Sequence, residues 1–266
     1  MTSPRMPVLF VGHGSPMSAI EDNEYTRAWA DLGRRLPRPR AILAISAHWE
    51  TKGVLITSAE RPRTIHDFYG FPQALYAKTY PAPGDPALAK QVEGLLAPYA
   101  RADLDSWGYD HGTWSVLAHM YPEADIPVIQ LSMDLRLAPR GHYQIGKALA
   151  PLRDQGVLIL GTGNVVHNLR LFNRDLATPP APFATRFNDT VKAKVLAGDH
   201  DALIDYARLD AEVHLAFPEP EHFQPLLYVL GAKAEGERIE FVTDKVFSTI
   251  SMTSVLVGAE PPAKAA

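Results

Sequence analysis

Ten histidines stand at positions 13, 48, 66, 111, 119, 142, 167, 200, 214 and 222 of a 266-residue chain that has no cysteine. Imidazole is the commonest metal ligand and titrates near neutral pH, so these residues are where the sequence can do chemistry. Without thiolates, a metal site here must be built from imidazole and carboxylate, donors that suit Zn and Fe. Three of the histidines occupy equivalent places. His13 follows PVLFVG (7–12), His48 follows AILAIS (41–46), and His167 follows VLILG (157–161) by the turn GTGNVVH. Each apolar run reads as a buried strand, which puts each histidine just beyond a carboxyl end. In open α/β sheets, ligands bind along that edge. If the strands are parallel neighbours, three imidazoles share it. Gly12 and Gly14 let the backbone turn sharply and leave room around a ligand.

The other histidines carry weaker signals. His111, in YDHGTW (109–114), sits at the entry to an apolar helix; it is either a site residue or a turn residue capped by Asp110. His222 opens EHFQPLLYVLGA (221–232) beside Glu219 and Glu221, which fits a ligand and a surface first turn equally well. His66 lies in TIHDFYGFP (64–72), where aromatic residues surround a His-Asp pair. Phe68, Tyr69 and Phe71, with Trp114, are candidate walls of a pocket for an aromatic substrate. His119 reads as core, His142 and His200 read as solvated, and His214 is ambiguous.

The elements that must position these residues follow from hydropathy. Besides the three runs above, VLITS (54–58) and IPVIQLS (126–132) read as strands covered on both faces. Helical patterns occupy 23–36, 86–98, 139–154, 183–197, 200–208 and 221–231, with Asp85 as N-cap and Pro86 at the first position of the second. Strand–helix alternation predicts an α/β fold, a single domain over 1–266 with a mixed, largely parallel sheet flanked by helices. The ends, 1–5 and 258–266, read as frayed. A net charge of −4 and a charged fraction of 21% give no support for nucleic acid or an anionic membrane as partner. No apolar run reaches the roughly eighteen residues of a spanning helix, and no signal peptide is evident, so a cytoplasmic location is expected. GTGNVV (161–166) lacks the third glycine of a dinucleotide fingerprint, and P-loop, HExxH and GxSxG patterns are missing.

Taken in order, GHGSPM, SAHWE, TIHDFYGFP, DHGTWSVL, GTGNVVHNL, HFQPLLYVLGA and a late SMTS make the chain resemble the DODA-type extradiol ring-opening dioxygenases, the 4,5-DOPA dioxygenase-like members of the LigB superfamily. The resemblance runs from about residue 7 to about residue 254. It implies a single-domain LigB-like α/β fold with one divalent metal ion per chain at the strand ends. His13, His48 and His222 match the metal ligands. His167 matches a histidine beside the metal, as fourth ligand or acid/base, and His111 an active-site histidine facing the substrate. The implied activity is extradiol cleavage of a catechol, a small DOPA-like aromatic diol, with O2. The third matched ligand is an imidazole rather than a carboxylate, so Fe(II) for activity and Zn(II) as isolated are both open. So are a zinc-dependent hydrolase using the same histidines and a non-catalytic metal-binding protein, and a monomer or a homodimer.

Overall fold

The computed structural model describes residues 5–104, 106–175 and 178–259. Ten strands are seen among them: β1 (Val8–Gly12), β2 (Ala41–Thr51), β3 (Val54–Thr57), β4 (Ala100–Asp103), β5 (Val128–Asp134), β6 (Val157–Gly163), β7 (Ile239–Thr243), β8 (Val246–Phe247), β9 (Ile250–Ser251) and β10 (Ser254–Val257). The helices are α1 (Glu24–Arg35), α2 (Gln73–Tyr76), α3 (Pro86–Leu95), α4 (His111–Met120), α5 (Pro139–Leu149), α6 (Pro182–Ala197), α7 (His200–Ile204), α8 (Val213–Ala216) and α9 (Gln224–Ala232). Eight strands form one sheet in the order β4-β3-β5-β2-β6-β1-β10-β7, and β8 and β9 pair separately. The four central strands, β5-β2-β6-β1, are parallel. β3 and β10 run antiparallel to them at the two flanks. The sheet is thus mixed with a parallel centre.

The continuous apolar runs serve two cores at once. Along β1, Val8 and Phe10 enter one hydrophobic cluster, while Leu9 and Val11 enter the other. Along β6, Val157 and Ile159 face the first, Leu158 and Leu160 the second. α6 and α9 cover the first face, and α1 and α4 cover the second. A strand buried on both sides has no use for polar alternation. The caps act as the sequence suggests. Asp85 accepts the Leu88 N–H at the start of α3, and Asn23 forms a reciprocal capping box with Thr26 on α1.

Some expectations change. The segment 200–208 is a short helix followed by a 3-10 turn, and 139–154 likewise ends in a 3-10 turn (Ala150–Gln155). Of the ends expected to fray, 1–4 and 260–266 lie outside the described residues. Arg5 pairs with Asp154 at 2.6 Å, and the Gly258 N–H donates to the Arg238 carbonyl. His142, expected to be solvated, is fully buried, and its Nδ1 pairs with the Tyr228 hydroxyl at 2.9 Å. It belongs to the α5–α9 packing, where burial pushes its pKa down to about 4.

That burial has a measurable consequence. The unfolded chain takes up the His142 proton near pH 6.5, the folded chain only near pH 4. Stability is therefore full above pH 6.5 and drains as pH falls toward 4, by at most about 3 kcal/mol from this residue. His142→Gln cannot titrate. Its denaturation midpoint should fall less steeply than that of the wild type across this window, and equal slopes would contradict the assignment.

Candidate metal centre

Three devices deliver the histidines to the carboxyl edge of the central strands. The first is the end of β1. His13 directly follows the strand, and its N–H still donates to the Gly163 carbonyl of β6 at 3.1 Å. Gly12 and Gly14 make room here for the Met252 segment rather than for a ligand. A Cβ on Gly12 would lie 2.7 Å from the Met252 carbonyl carbon. One on Gly14, at φ +64°, would lie 2.7 Å from Met252 Sδ.

The second device is a bulge. β2 pairs with β5 in regular register up to Ile45–Leu131, and pairing resumes at Glu50–Met133. Residues 46–49 of β2 thus face Ser132 alone. Bulges re-aim side chains beside functional sites, and His48 sits within this one. It lies inside the strand, not beyond its end as the hydropathy suggested. The third device is a close crossing of β6 and the entry to α9. Gly161 and Gly163 let the chain at 222–225 touch the strand: a Cβ on Gly163 would be 2.1 Å from the His222 carbonyl oxygen. That carbonyl accepts the Asn164 N–H at 2.9 Å, fixing His222 against the sheet edge.

The imidazoles converge. Ring centroids are 5.0 Å apart for His13–His48, 5.5 Å for His13–His222 and 5.0 Å for His48–His222. One nitrogen from each of the three lies within 4.8 Å of the other two. His48 Nε2 and His13 Nε2 face each other at 3.0 Å, and His13 Nδ1 is buried without a partner. Burial, and then the neighbouring imidazoles, hold His13, His48 and His222 well below the ordinary histidine range, so their lone pairs are free. Of two neutral imidazole nitrogens aimed at one another, at most one finds a proton between them. The set is poor as a hydrogen-bond network and good as a cradle for a divalent cation. His222 Nδ1 pairs with Glu221 at 3.0 Å, the kind of carboxylate contact that orients a ligating histidine. Burial, with Glu50 and Glu219 nearby, pushes Glu221 up to about 7.

Two more imidazoles flank the three. His167 lies flat on His222, centroids 3.5 Å apart and planes at 10°. Its nitrogens group with Glu221 and His222, not with His13 and His48. Burial, and then His111, push it down to about 4. His111 opens α4, capped by Asp110, with its ring 4.0 Å from His48. Its Nδ1 meets Asp67 at 2.9 Å. The five histidines singled out in the sequence are therefore one cluster. Of the aromatic candidates, Phe68 reaches it, edge-on to His111 at 5.8 Å, with Phe71 behind at 5.3 Å. Tyr69 is 92% exposed, and Trp114 is a core residue whose indole donates to the Ile65 carbonyl, so neither forms a wall. His66 and His119 meet the carbonyls of Lys78 and Ser18, and His200 Nδ1 meets the Tyr143 hydroxyl.

Three residues support the site that the sequence did not mark as part of it. Asp67 was visible only as half of a His-Asp pair. Asp110, fully buried, caps α4 and also accepts from Ser46 Oγ (2.7 Å), Trp107 Nε1 (3.1 Å) and Gln130 Nε2, tying α4 to β2 and β5. Gly112 carried no signal at all. A Cβ there would lie 2.9 Å from the His48 ring and 2.7 Å from Ser46 Oγ. Gly112→Ala should favour the helix by propensity. It should nonetheless weaken metal binding by about 10–100-fold, the usual cost of disturbing what supports a ligand. Unchanged affinity by competitive chelation would show that His48 tolerates the shift.

Residues 7–258 match the family described as the catalytic LigB subunit of aromatic ring-opening dioxygenase. The chain is 50% identical to 4,5-DOPA dioxygenase extradiol of Escherichia coli K12, with 97% of each chain covered. It is 39% identical to the Beta vulgaris protein of the same name, over 88% of this chain and 89% of that one. The crystal structure of an uncharacterized protein from Escherichia coli K12 is also similar, with a TM-score of 0.84 at 44% identity, covering 96% of this chain and 100% of that chain. Five imidazoles gathered at the parallel centre of the sheet and a family match over nearly the whole sequence lead to one assignment: the chain belongs to the LigB family of aromatic ring-opening dioxygenases.

Proposed function

We propose that this protein cleaves a catechol beside its diol, in extradiol fashion, using O2 and one divalent ion held by His13, His48 and His222. The observation that carries the reading is the convergence of those three neutral imidazoles, with two further imidazoles beside them. The relatives named for 4,5-DOPA suggest a substrate of that kind. The ion, when bound, supplies a Lewis acid that acidifies a coordinated phenol and, as Fe(II), a redox partner for O2.

The rest falls to the chain. A bound catechol must lose its protons, and His111 is placed to take one at Nε2, because Nδ1 is engaged by Asp67. His167, kept neutral by burial, is the second acid/base, holding or returning a proton on the His222 side. Its stacked pose favours this role over that of a fourth ligand. Phe68 offers an edge against which a flat ring can lie. The cysteine-free chain fits a cytoplasmic enzyme, working as monomer or homodimer on a small aromatic diol. No helix among the described residues is long and apolar enough to cross a membrane.

The test is loading with Fe(II) under anaerobic conditions, followed by catechols and O2. Oxygen uptake with a new yellow absorbance is expected. Silence across several catechols, with ester or amide hydrolysis by the Zn(II) form, would replace the reading with the hydrolase.

A further inference from the structure

Asp67 belongs to the loop between β3 and α2, far in sequence from the histidines it meets. Its Oδ1 accepts the His111 backbone N–H at 2.9 Å, and its Oδ2 lies 2.9 Å from His111 Nδ1. The same Oδ2 is 3.8 Å from His48 Nδ1. One carboxylate therefore grips His111 at two points while also facing the ring of a candidate ligand. Resting on the function proposed above, we infer that Asp67 is a positioning residue that fixes the His111 tautomer, with the proton on Nδ1 and the Nε2 lone pair turned to the substrate.

The chemistry is direct. An ionised carboxylate only accepts hydrogen bonds, so the nitrogen against it must carry the proton. Neutral imidazole has a single N–H, and placing it on Nδ1 leaves Nε2 bare. A base needs that free lone pair in contact range of the substrate hydroxyl. Asp67 meets both the backbone N–H and the ring nitrogen of His111 with its two oxygens, the bonding of a carboxylate acceptor. The second grip, on the backbone N–H, ties the carboxylate to the first turn of α4, so loop and helix hold the ring at a fixed angle.

Asp67→Asn separates this role from simple packing. The amide has the same shape, and its oxygen can still accept the His111 N–H. Its NH2 then faces Nδ1, which must accept, driving the proton to Nε2. The expected result is a fall in kcat on the order of 10²-fold, with KM and metal content little changed. Added to His111→Ala, Asp67→Asn should cost nothing further, since its effect passes through His111. Additive losses would overturn the inference.

A second measurement does not depend on turnover. In the Zn(II)-loaded protein, ¹⁵N chemical shifts of the His111 ring, assigned by difference from His111→Ala, should show a protonated Nδ1 and a bare Nε2. Asp67→Asn should reverse the pattern. Protonated Nε2 in the wild type, or an unchanged pattern in the variant, would overturn the inference. If the Fe(II) enzyme opens no catechol, the functional reading fails, and the ring shifts still decide the role of Asp67. They do so from the wild type alone should Asp67→Asn not fold.

Discussion

His48→Ala is expected to lose tight metal binding and turnover together, and His13→Ala to do the same. These are the largest effects because both rings supply nitrogens aimed at a common point, Nε2 to Nε2 at 3.0 Å. An outer-shell change costs about 10–100-fold in metal affinity. Removal of an imidazole from a three-histidine set should cost more, and stoichiometric metal should not survive gel filtration. The fold should survive, since His48 stands in a bulge and His13 past the end of its strand, outside both apolar clusters. Metal analysis and thermal denaturation of the metal-free forms check both halves. Full metal retention in either variant would remove that residue from the ligand set.

The second large effect runs the other way. His111→Ala and His167→Gln should each keep metal near one ion per chain and lower kcat by about 10²–10⁴-fold, the range of a missing general acid or base. His111 is bound to Asp67 and packed on His48, and His167 is stacked on His222, so each touches a ligand without joining the three. If His167→Gln lost its metal entirely, His167 would be a fourth ligand instead. Parallel loss of metal and activity in His111→Ala would show that it supports His48 rather than handling protons.

Much of this centre could be read from hydropathy because strands and histidines are joined by short turns. His13 and His167 stand close behind apolar runs, and the runs at 7–12, 41–46 and 157–161 do pair as neighbours in parallel. His48 was found for a partly wrong reason. Its strand does not stop at Ser46 but bulges, a feature of pairing with β5 that no local pattern reveals. His222 and His111 could not be ranked from their surroundings. What places His222 is the bare glycine edge of β6, and what places His111 is a carboxylate from a distant loop. Both are tertiary facts. The same limit misjudged His142, whose flanking polar residues lie on the exposed side of α5 while its ring enters the core. The strands β4, β7 and β10 were missed because they are short, and β4 and β7 are only half-buried, which blunts the apolar run.

The central claim is that these histidines hold an ion that lets O2 open an aromatic ring. It is tested most directly by stoichiometry. Fe(II)-loaded protein, given a limiting catechol under air, should consume one O2 per ring opened and yield a yellow product whose mass is that of the catechol plus both oxygen atoms. His48→Ala should do neither. An intact catechol or its simple oxidation to a quinone, with equal behaviour in His48→Ala, would contradict the account.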